Sequence, residues 1–120
     1  ARVHTATLAG DDPVIMLTAP IPATAKALEK SKLTINEIGV FEVNEAFASV
    51  PMAWLAETGA DPAKLNPNGG AIALGHPLGG SGGRLMSDMI AHMRNEGIKY
   101  GLQTMCEGGG QANATIIELL

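Results

Sequence analysis

Apolar and polar positions alternate with two different periods along this chain, and the changes of period predict strands and helices in turn. Arg2 to Leu8 has β-branched residues at every second position, which predicts a strand. After two prolines, residues 23–30 show helical spacing and predict a helix. Residues 34–37 have the spacing of a capping box and predict one helical turn. The apolar residues 38–43 then predict a second strand.

The next segment predicts a helix from Asn44 to Thr58. Asn44 is a favourable N-cap, and Gly59 is a typical C-terminal stop. The apolar residues of this segment fall on one helical face: Phe47, Val50 and Trp54. Pro51 lies inside the interval and would remove a backbone donor, so we expect a kink there.

The rest of the chain predicts one more strand–helix pair and a final hairpin. Residues 71–74 form a short apolar strand, and residues 84–95 form a helix. The helix carries a core-facing stripe of methionines: Met86, Met89 and Met93. Residues 98–106 and 111–120 are two strands joined by a glycine-rich turn. The order β-α-β-α-β-α-β-β predicts an α/β fold of one domain, residues 1–120, with a mixed sheet and helices on both faces.

Composition supports a folded domain and argues against several classes of function. Hydrophobic residues make up 46% of the 120 residues and aromatic residues 3%, so aliphatic side chains and methionine must build the core. The net charge is −4 without any basic block, which argues against nucleic acid as a partner. No apolar run reaches the roughly 20 residues of a membrane span. The single Cys106 excludes an intramolecular disulfide and favours a reducing compartment, the cytoplasm.

Three loops carry residues suited to chemistry. Residues 75–83 place His76 among glycines after a predicted strand, where an imidazole can transfer protons near neutral pH. Cys106 to Gly110 place the thiol beside glycines whose N–H groups can face an oxyanion. Asn44 to Phe47 join a strand to a helix. Each loop also has a structural interpretation: a turn with an exposed histidine, a buried cysteine, and an N-cap with a core phenylalanine. No cluster has metal-ligand spacing, so we predict no metal site.

Together these segments resemble the carboxy-terminal domain of the thiolases, which are coenzyme A-dependent acyltransferases. The resemblance covers essentially the whole chain, and its motifs stand in the family's order: Asn44-Glu45-Ala46-Phe47-Ala48, then Asn66 to Pro77, then Cys106-Glu107-Gly108-Gly109-Gly110. The string from Asn66 to Pro77 is the most specific of the three. The resemblance implies that this chain is one of two halves of similar topology. In thiolases the amino-terminal half holds the nucleophilic cysteine, and this chain has no second cysteine.

The resemblance also implies roles in the thiolytic cleavage or Claisen condensation of 3-ketoacyl-CoA. His76 would activate the nucleophilic thiol and, with a water held by Asn44, form one oxyanion hole. Cys106 would be the second acid/base, and the Gly108 N–H would contribute to the other oxyanion hole. Phe47 would contact the substrate. Coenzyme A and acyl-CoA would be substrates, with no permanently bound cofactor, and the full-length enzyme would be a homodimer or homotetramer.

The missing nucleophile leaves two hypotheses open. The chain is either the carboxy-terminal half of a thiolase, inactive when isolated, or a non-catalytic coenzyme A-binding partner in a split thiolase. Decarboxylating condensing enzymes of the superfamily have Asn or His in the role of Cys106, which argues against that branch. Lipid-transfer-type thiolases typically have His where this chain has Asn44. Degradation of 3-ketoacyl thioesters is favoured over their synthesis.

Overall fold

The chain folds into one four-stranded mixed sheet, and the computed structural model describes all 120 residues. The strands are β1 (Arg2–Gly10), β2 (Val40–Val43), β3 (Tyr100–Glu107) and β4 (Gln111–Glu118). The helices are α1 (Pro20–Ser31), α2 (Ser49–Thr58), α3 (Gly70–Leu74) and α4 (Ser81–Glu96), with single 3₁₀ turns at Ile35–Glu37 and Pro62–Lys64. The strand order is β1-β4-β3-β2; β2 is parallel to β3, and the other two pairs are antiparallel.

Strand β2 shows why the sheet needs helices on both faces, because all four of its residues are buried. Phe41 and Val43 belong to an apolar cluster that includes residues of α1 and α2. Val40 instead packs with Met89 and Met93 of α4. Successive side chains of a strand point to opposite faces, so the continuous apolar pattern of this strand requires cover on both sides. The predicted mixed sheet with helices on both faces is confirmed.

The face of the sheet toward α1 and α2, here called the α1/α2 face, contains the larger core. Trp54 is fully buried, and its ring centroid lies 5.1 Å from that of Phe41. Its indole N–H donates to the Thr24 hydroxyl at 2.8 Å. That hydroxyl in turn donates to the Pro20 carbonyl at 2.8 Å. The only tryptophan is therefore fully satisfied inside an apolar environment, as a buried indole requires.

Several predictions of local structure are confirmed. Strand β1, helix α1 and the final hairpin lie where the pattern predicts them. Thr34 and Glu37 form the capping box, in which the Glu37 carboxylate accepts from the Thr34 N–H at 2.7 Å. Gly59 and Gly97 end α2 and α4 in the left-handed conformation, which glycine adopts without steric cost.

The predicted start of the second helix is wrong. Asn44 is not an N-cap: its N–H continues the ladder of β2 and donates to the Thr104 carbonyl at 3.0 Å, and α2 begins only at Ser49. Pro51 therefore lies in the first turn of α2. Backbone N–H groups there have no carbonyl partner within the helix, so the proline removes no hydrogen bond and the expected kink has no cause. Phe47 precedes the helix and is 60% exposed, so it is not part of the predicted apolar face.

The predicted strand at residues 71–74 is also wrong, because this segment is helix α3. The free edge of β2 is occupied by Leu65, which forms a parallel bridge with Phe41. Residues 71–74 therefore have no neighbouring strand to pair with. Without such a partner their intrinsic preference decides, and alanine and leucine are strong helix formers. The sheet consequently has four strands and not the five that the predicted order contains.

Candidate active site at the carboxyl edge of the sheet

Two of the motif segments meet because β2 and β3 are parallel. Their carboxyl ends lie at the same edge of the sheet, which is where open α/β sheets bind ligands. Asn44 directly follows β2, and Val43 pairs with Thr104 of β3. Cys106 lies two residues further along β3. The first and third motifs are therefore neighbours at one edge.

The loop that carries His76 is fixed by the first turn of α4. His76 Nδ1 lies 2.5 Å from the Ser81 Oγ, and that hydroxyl donates its proton to the Pro77 carbonyl at 2.9 Å. A serine hydroxyl has one proton, so toward the ring it can only accept a hydrogen bond. With the hydroxyl proton on the Pro77 carbonyl, Nδ1 carries the proton of the neutral imidazole. The exposed ring has Nε2 left as its proton acceptor.

Helix α4 is in turn tied to β3, which brings the histidine loop to the same edge. The Gln103 amide donates to the Gly82 carbonyl at 2.9 Å. A Cβ placed on Gly82 would lie 3.5 Å from the Met105 sulfur, so the helix start lies directly against the strand. The loop of His76 leads into the start of α4, and the start of α4 contacts β3. The structure therefore brings all three motifs to one edge of the sheet.

A second brace connects the segment before His76 to the end of β2. The Asn66 side chain accepts from the Val43 N–H at 2.9 Å and donates to the Val43 carbonyl at 3.0 Å, in the manner of a neighbouring strand. The Glu45 carboxylate accepts from the Ile72 N–H in α3 at 2.7 Å. These bonds fix the position of α3 relative to Asn44, and α3 leads directly into Gly75 and His76.

Cys106 lies at the end of β3 and is half-buried. By the alternation of the strand its side chain is on the α1/α2 face, where it packs against the apolar cluster, whereas Asn44 is on the opposite face. Burial is the main cause that raises the pKa of the Cys106 thiol, with a smaller contribution from the nearby Glu107 carboxylate. The thiol form therefore predominates near neutral pH.

The turn after Cys106 is shaped by glycine. Gly109 and Gly110 have positive φ angles of 80° and 75°. A Cβ on Gly110 would lie 2.7 Å from the Asp11 carbonyl, so a larger residue does not fit there. Gly108 is exposed, and a Cβ on it would meet nothing within 4 Å. Its backbone is therefore approachable from outside the chain, as a group that binds an oxyanion has to be.

Asn44 and Glu42 are two buried polar side chains beside this edge. Asn44 is 1% exposed and Glu42 is fully buried, and none of their four side-chain N and O atoms has a hydrogen-bond partner in the chain. Desolvation, followed by the negative charges of Asp88 and Glu45, raises the pKa of Glu42 to about 8. Buried polar groups without partners are rare, and such groups call for a functional explanation.

Pattern reasoning identified the histidine, the cysteine, the asparagine and the glycine, but it did not assign the residues that hold them. Ser81, Asn66, Glu45 and Glu42 are given no individual role by the sequence argument. Ser81 could have been found as a hydroxyl in the first turn of the helix that follows His76. Glu42 gives a stronger signal, because it is a carboxylate inside a strand that is apolar throughout otherwise.

The site is an open edge and not an enclosed pocket. The one cavity of the chain, about 380 Å³, lies elsewhere, between β1, β4 and the lysines of α1. None of the motif residues lines it. No group of three His, Cys, Asp or Glu side chains is arranged to hold a metal ion, and no helix is both long and apolar enough to cross a membrane.

Comparison with known protein families identifies the class of protein that has this fold and this candidate site. Residues 1–119 match the family model described as the thiolase carboxy-terminal domain. The chain belongs to the thiolase family. Among curated relatives it is 61% identical over 120 residues to the steroid 3-ketoacyl-CoA thiolase FadA6 of Mycobacterium tuberculosis. It is 46% identical over 120 residues to the acetyl-CoA acetyltransferase of Rhizobium meliloti.

The solved structures agree with this assignment. The human mitochondrial 3-ketoacyl-CoA thiolase superposes with a TM-score of 0.96 at 44% identity, and a structure of that enzyme in complex with CoA superposes equally well. In each case the whole chain is matched, but it covers only 30% of the solved chain. The same share, 30%, holds for both curated relatives. The chain thus spans about a third of the length of the thiolases that it resembles.

Proposed function

We propose that this chain supplies the acid/base and oxyanion-binding groups of a thiolase that cleaves 3-ketoacyl-CoA with coenzyme A or catalyses the reverse condensation. The observation that carries the proposal is the convergence of all three motifs on one edge of the sheet. His76, Cys106 and Asn44 come from three separate segments, and hydrogen bonds of His76, of Asn44 and of the Gln103 amide hold those segments in place. The nucleophilic cysteine belongs to the amino-terminal half.

His76 is suited to activate that nucleophile. Its Nδ1–H is engaged by Ser81, so the free Nε2 can accept the thiol proton of an incoming cysteine. The imidazolium that results then stabilises the thiolate and can donate to the thioester oxygen. Ser81 acts here as the orienting third group that such nucleophile–base pairs usually have. The exposure of the ring leaves room for the other half to approach.

Cys106 and Gly108 are suited to the second proton transfer. Condensation or cleavage next to a thioester develops enolate charge, which needs donors already in position. The accessible backbone of Gly108 can supply one such N–H. Cys106, held as a thiol by its partial burial, can protonate the departing carbanion and then act as the base in the opposite direction. Asn44 would hold the water that completes the first oxyanion hole, and the exposed Phe47 would contact the acyl-CoA substrate.

The substrate class is 3-ketoacyl-CoA, with coenzyme A as the acceptor. This proposal is supported by relatives whose names specify 3-ketoacyl-CoA thiolases, one of them acting on a steroid substrate, and by the CoA complex of the human enzyme. No permanently bound cofactor is required. We expect the complete enzyme to be a homodimer or homotetramer that works in the cytoplasm.

A fusion protein tests the proposal. The amino-terminal part of the Mycobacterium tuberculosis relative is joined to this chain in place of its own carboxy-terminal 30%, and thiolysis of a 3-ketoacyl-CoA is followed by the loss of the substrate's enolate absorbance. We expect turnover by the fusion protein and none by the 120-residue chain.

His76→Ala and Cys106→Ser should each lower kcat at least roughly 100-fold. Cys106→Ser keeps the size of the side chain, so a loss of kcat in this variant is not caused by a change in packing. Turnover by the isolated chain that His76→Ala abolishes would sink the idea.

The alternative is a coenzyme A-binding partner subunit of a split thiolase. It is favoured by one observation, the absence of a second cysteine in the chain. It predicts a stable complex when the amino-terminal half of the relative is supplied as a separate polypeptide. Co-purification of the two polypeptides with restored thiolysis supports the split arrangement. Activity that is found only in the covalent fusion protein contradicts it.

A further inference from the structure

Glu42 is a buried carboxyl group that the proposed mechanism does not use. It lies in the middle of β2, faces α4, and has no exposed surface. No basic side chain pairs with it, since the only carboxylate that forms salt bridges in the chain is Glu118. A buried, unpaired carboxylate is strongly disfavoured, so an acid at this position is stable in its neutral form.

The neighbouring groups that act on Glu42 reinforce this conclusion. Gln103 of β3 lies directly opposite, and it is neutral and already donates to Gly82. Asp88 of α4 and Glu45, in the loop after β2, are the charged groups that act on it, and both are acidic. Their charges and the desolvation favour the protonated form together.

Asn44 extends from the same face of the strand, two residues further on. Its amide is buried and also has no partner in the chain. Residues two apart on one face of a strand are separated by about 6.5–7 Å at Cα. The four polar atoms do not bond to each other, and a water molecule that hydrogen-bonds to one atom of each side chain would give both groups a partner.

We propose that Glu42 is a positioning residue: in its neutral form it shares one buried water with the Asn44 amide, between β2 and α4, and this water fixes the orientation of that amide. A protonated carboxyl group offers a donor and an acceptor, and so does an amide, so the water can reach the two or more polar partners that it needs. The effect on catalysis rests on the proposed function. The protonation and the water do not.

The test uses the fusion protein and three variants. Glu42→Gln keeps both a donor and an acceptor but cannot ionise, Glu42→Leu keeps the volume without polar atoms, and Glu57→Gln is the control for loss of an exposed charge. The pKa of Glu42 is raised from 4.5 to about 8. The stability that the folded protein gains from the neutral carboxyl group is therefore complete below pH 4.5 and is lost as the pH rises through 8. We expect the Tm of the unsubstituted protein to fall, relative to Glu42→Gln, by about 5 °C or more between pH 6 and 9.

The kinetic arm separates positioning from packing. At pH 7 we expect Glu42→Gln to retain kcat within about threefold, and Glu42→Leu to lose about tenfold or more in kcat with little change in KM and no loss in Tm. Normal kcat in the Leu variant would show that Glu42 only fills space and would overturn the proposal. Parallel Tm–pH curves for the unsubstituted protein and Glu42→Gln would show an ionised Glu42 and overturn it as well.

A crystal structure of the fusion protein decides the question even if the fusion protein is inactive. Inactivity with the expected Tm–pH difference counts against the proposed function and not against the neutral Glu42. A water within hydrogen-bond distance of both Glu42 and Asn44 supports the positioning role. A side chain or backbone group of the amino-terminal half at that point, in place of water, overturns it.

Discussion

The two faces of the sheet are packed in different ways. The α1/α2 face covers an apolar cluster of 13 buried residues, and the indole of Trp54 has its polar partner in place. The face toward α4, here called the α4 face, has an apolar cluster of only four buried residues, and beside it lie the unpaired side chains of Glu42 and Asn44. One face therefore supplies most of the hydrophobic stabilisation, and the other holds polar groups without partners in the chain, at a cost in stability.

The largest expected effect is on the α1/α2 face. Trp54→Ala removes the largest buried side chain and leaves the Thr24 hydroxyl without its donor, so we expect it to lower the free energy of unfolding by about 3–5 kcal/mol. Urea denaturation followed by circular dichroism measures the change. Met52→Ala, at an exposed position of the same helix, is the control and should stay within about 0.5 kcal/mol. A loss below about 1 kcal/mol for Trp54→Ala would remove the distinction between the faces.

A smaller loss is expected from the α4 face. Met89 is fully buried between α4 and the sheet, but methionine is flexible and its cluster is small. Met89→Ala should cost about 2–3 kcal/mol in the same denaturation experiment. If it costs more than Trp54→Ala, the α4 face is the main core, and the comparison is reversed.

The next effect concerns the brace between Asn66 and the end of β2. Asn66→Ala removes both side-chain bonds to the Val43 backbone at a residue with a φ of 45°, and we expect a loss of about 1–3 kcal/mol. Asn66→Asp can still accept from the Val43 N–H, so its loss should be smaller. Equal losses for the two variants would mean that the bond to the Val43 N–H contributes little. In the fusion protein, Asn66→Ala should also lower kcat, because the brace positions the loop of His76.

The smallest effect is a gain in stability. Gly83 lies in the first turn of α4, and a Cβ there would meet nothing within 4 Å. Gly83→Ala should raise the free energy of unfolding by about 0.5–1 kcal/mol, because alanine loses less backbone entropy in a helix. Gly97→Ala is the matched control, since its φ of 67° disfavours any side chain, and it should destabilise by about 1 kcal/mol. A destabilising Gly83→Ala would point to a contact that the open space around this residue does not indicate.

Sequence patterns predicted much of the fold correctly where one local signal decides the outcome. The capping box of Thr34 and Glu37, the left-handed glycines Gly59 and Gly97, and the hairpin after Cys106 are all of this kind. The errors occur where two local interpretations compete. Asn44 can begin a helix or continue a strand, and the free Thr104 carbonyl on β3 decides for the strand. Residues 71–74 can be a strand or a helix, and Leu65 on the edge of β2 decides for the helix.

For the candidate site, the sequence alone determined the family, which the match over residues 1–119 confirms, and it predicted the residues that we propose to be reactive: His76, Cys106, Asn44 and Gly108. Only the tertiary structure decided how these groups are held. Three features join residues from different elements of the fold: the contact of Ser81 with the His76 ring, the brace from Asn66 to Val43, and the burial of Glu42 beside Asn44. A local pattern records what a side chain can do, whereas its hydrogen-bond partners and its exposure to water depend on segments that only folding brings near.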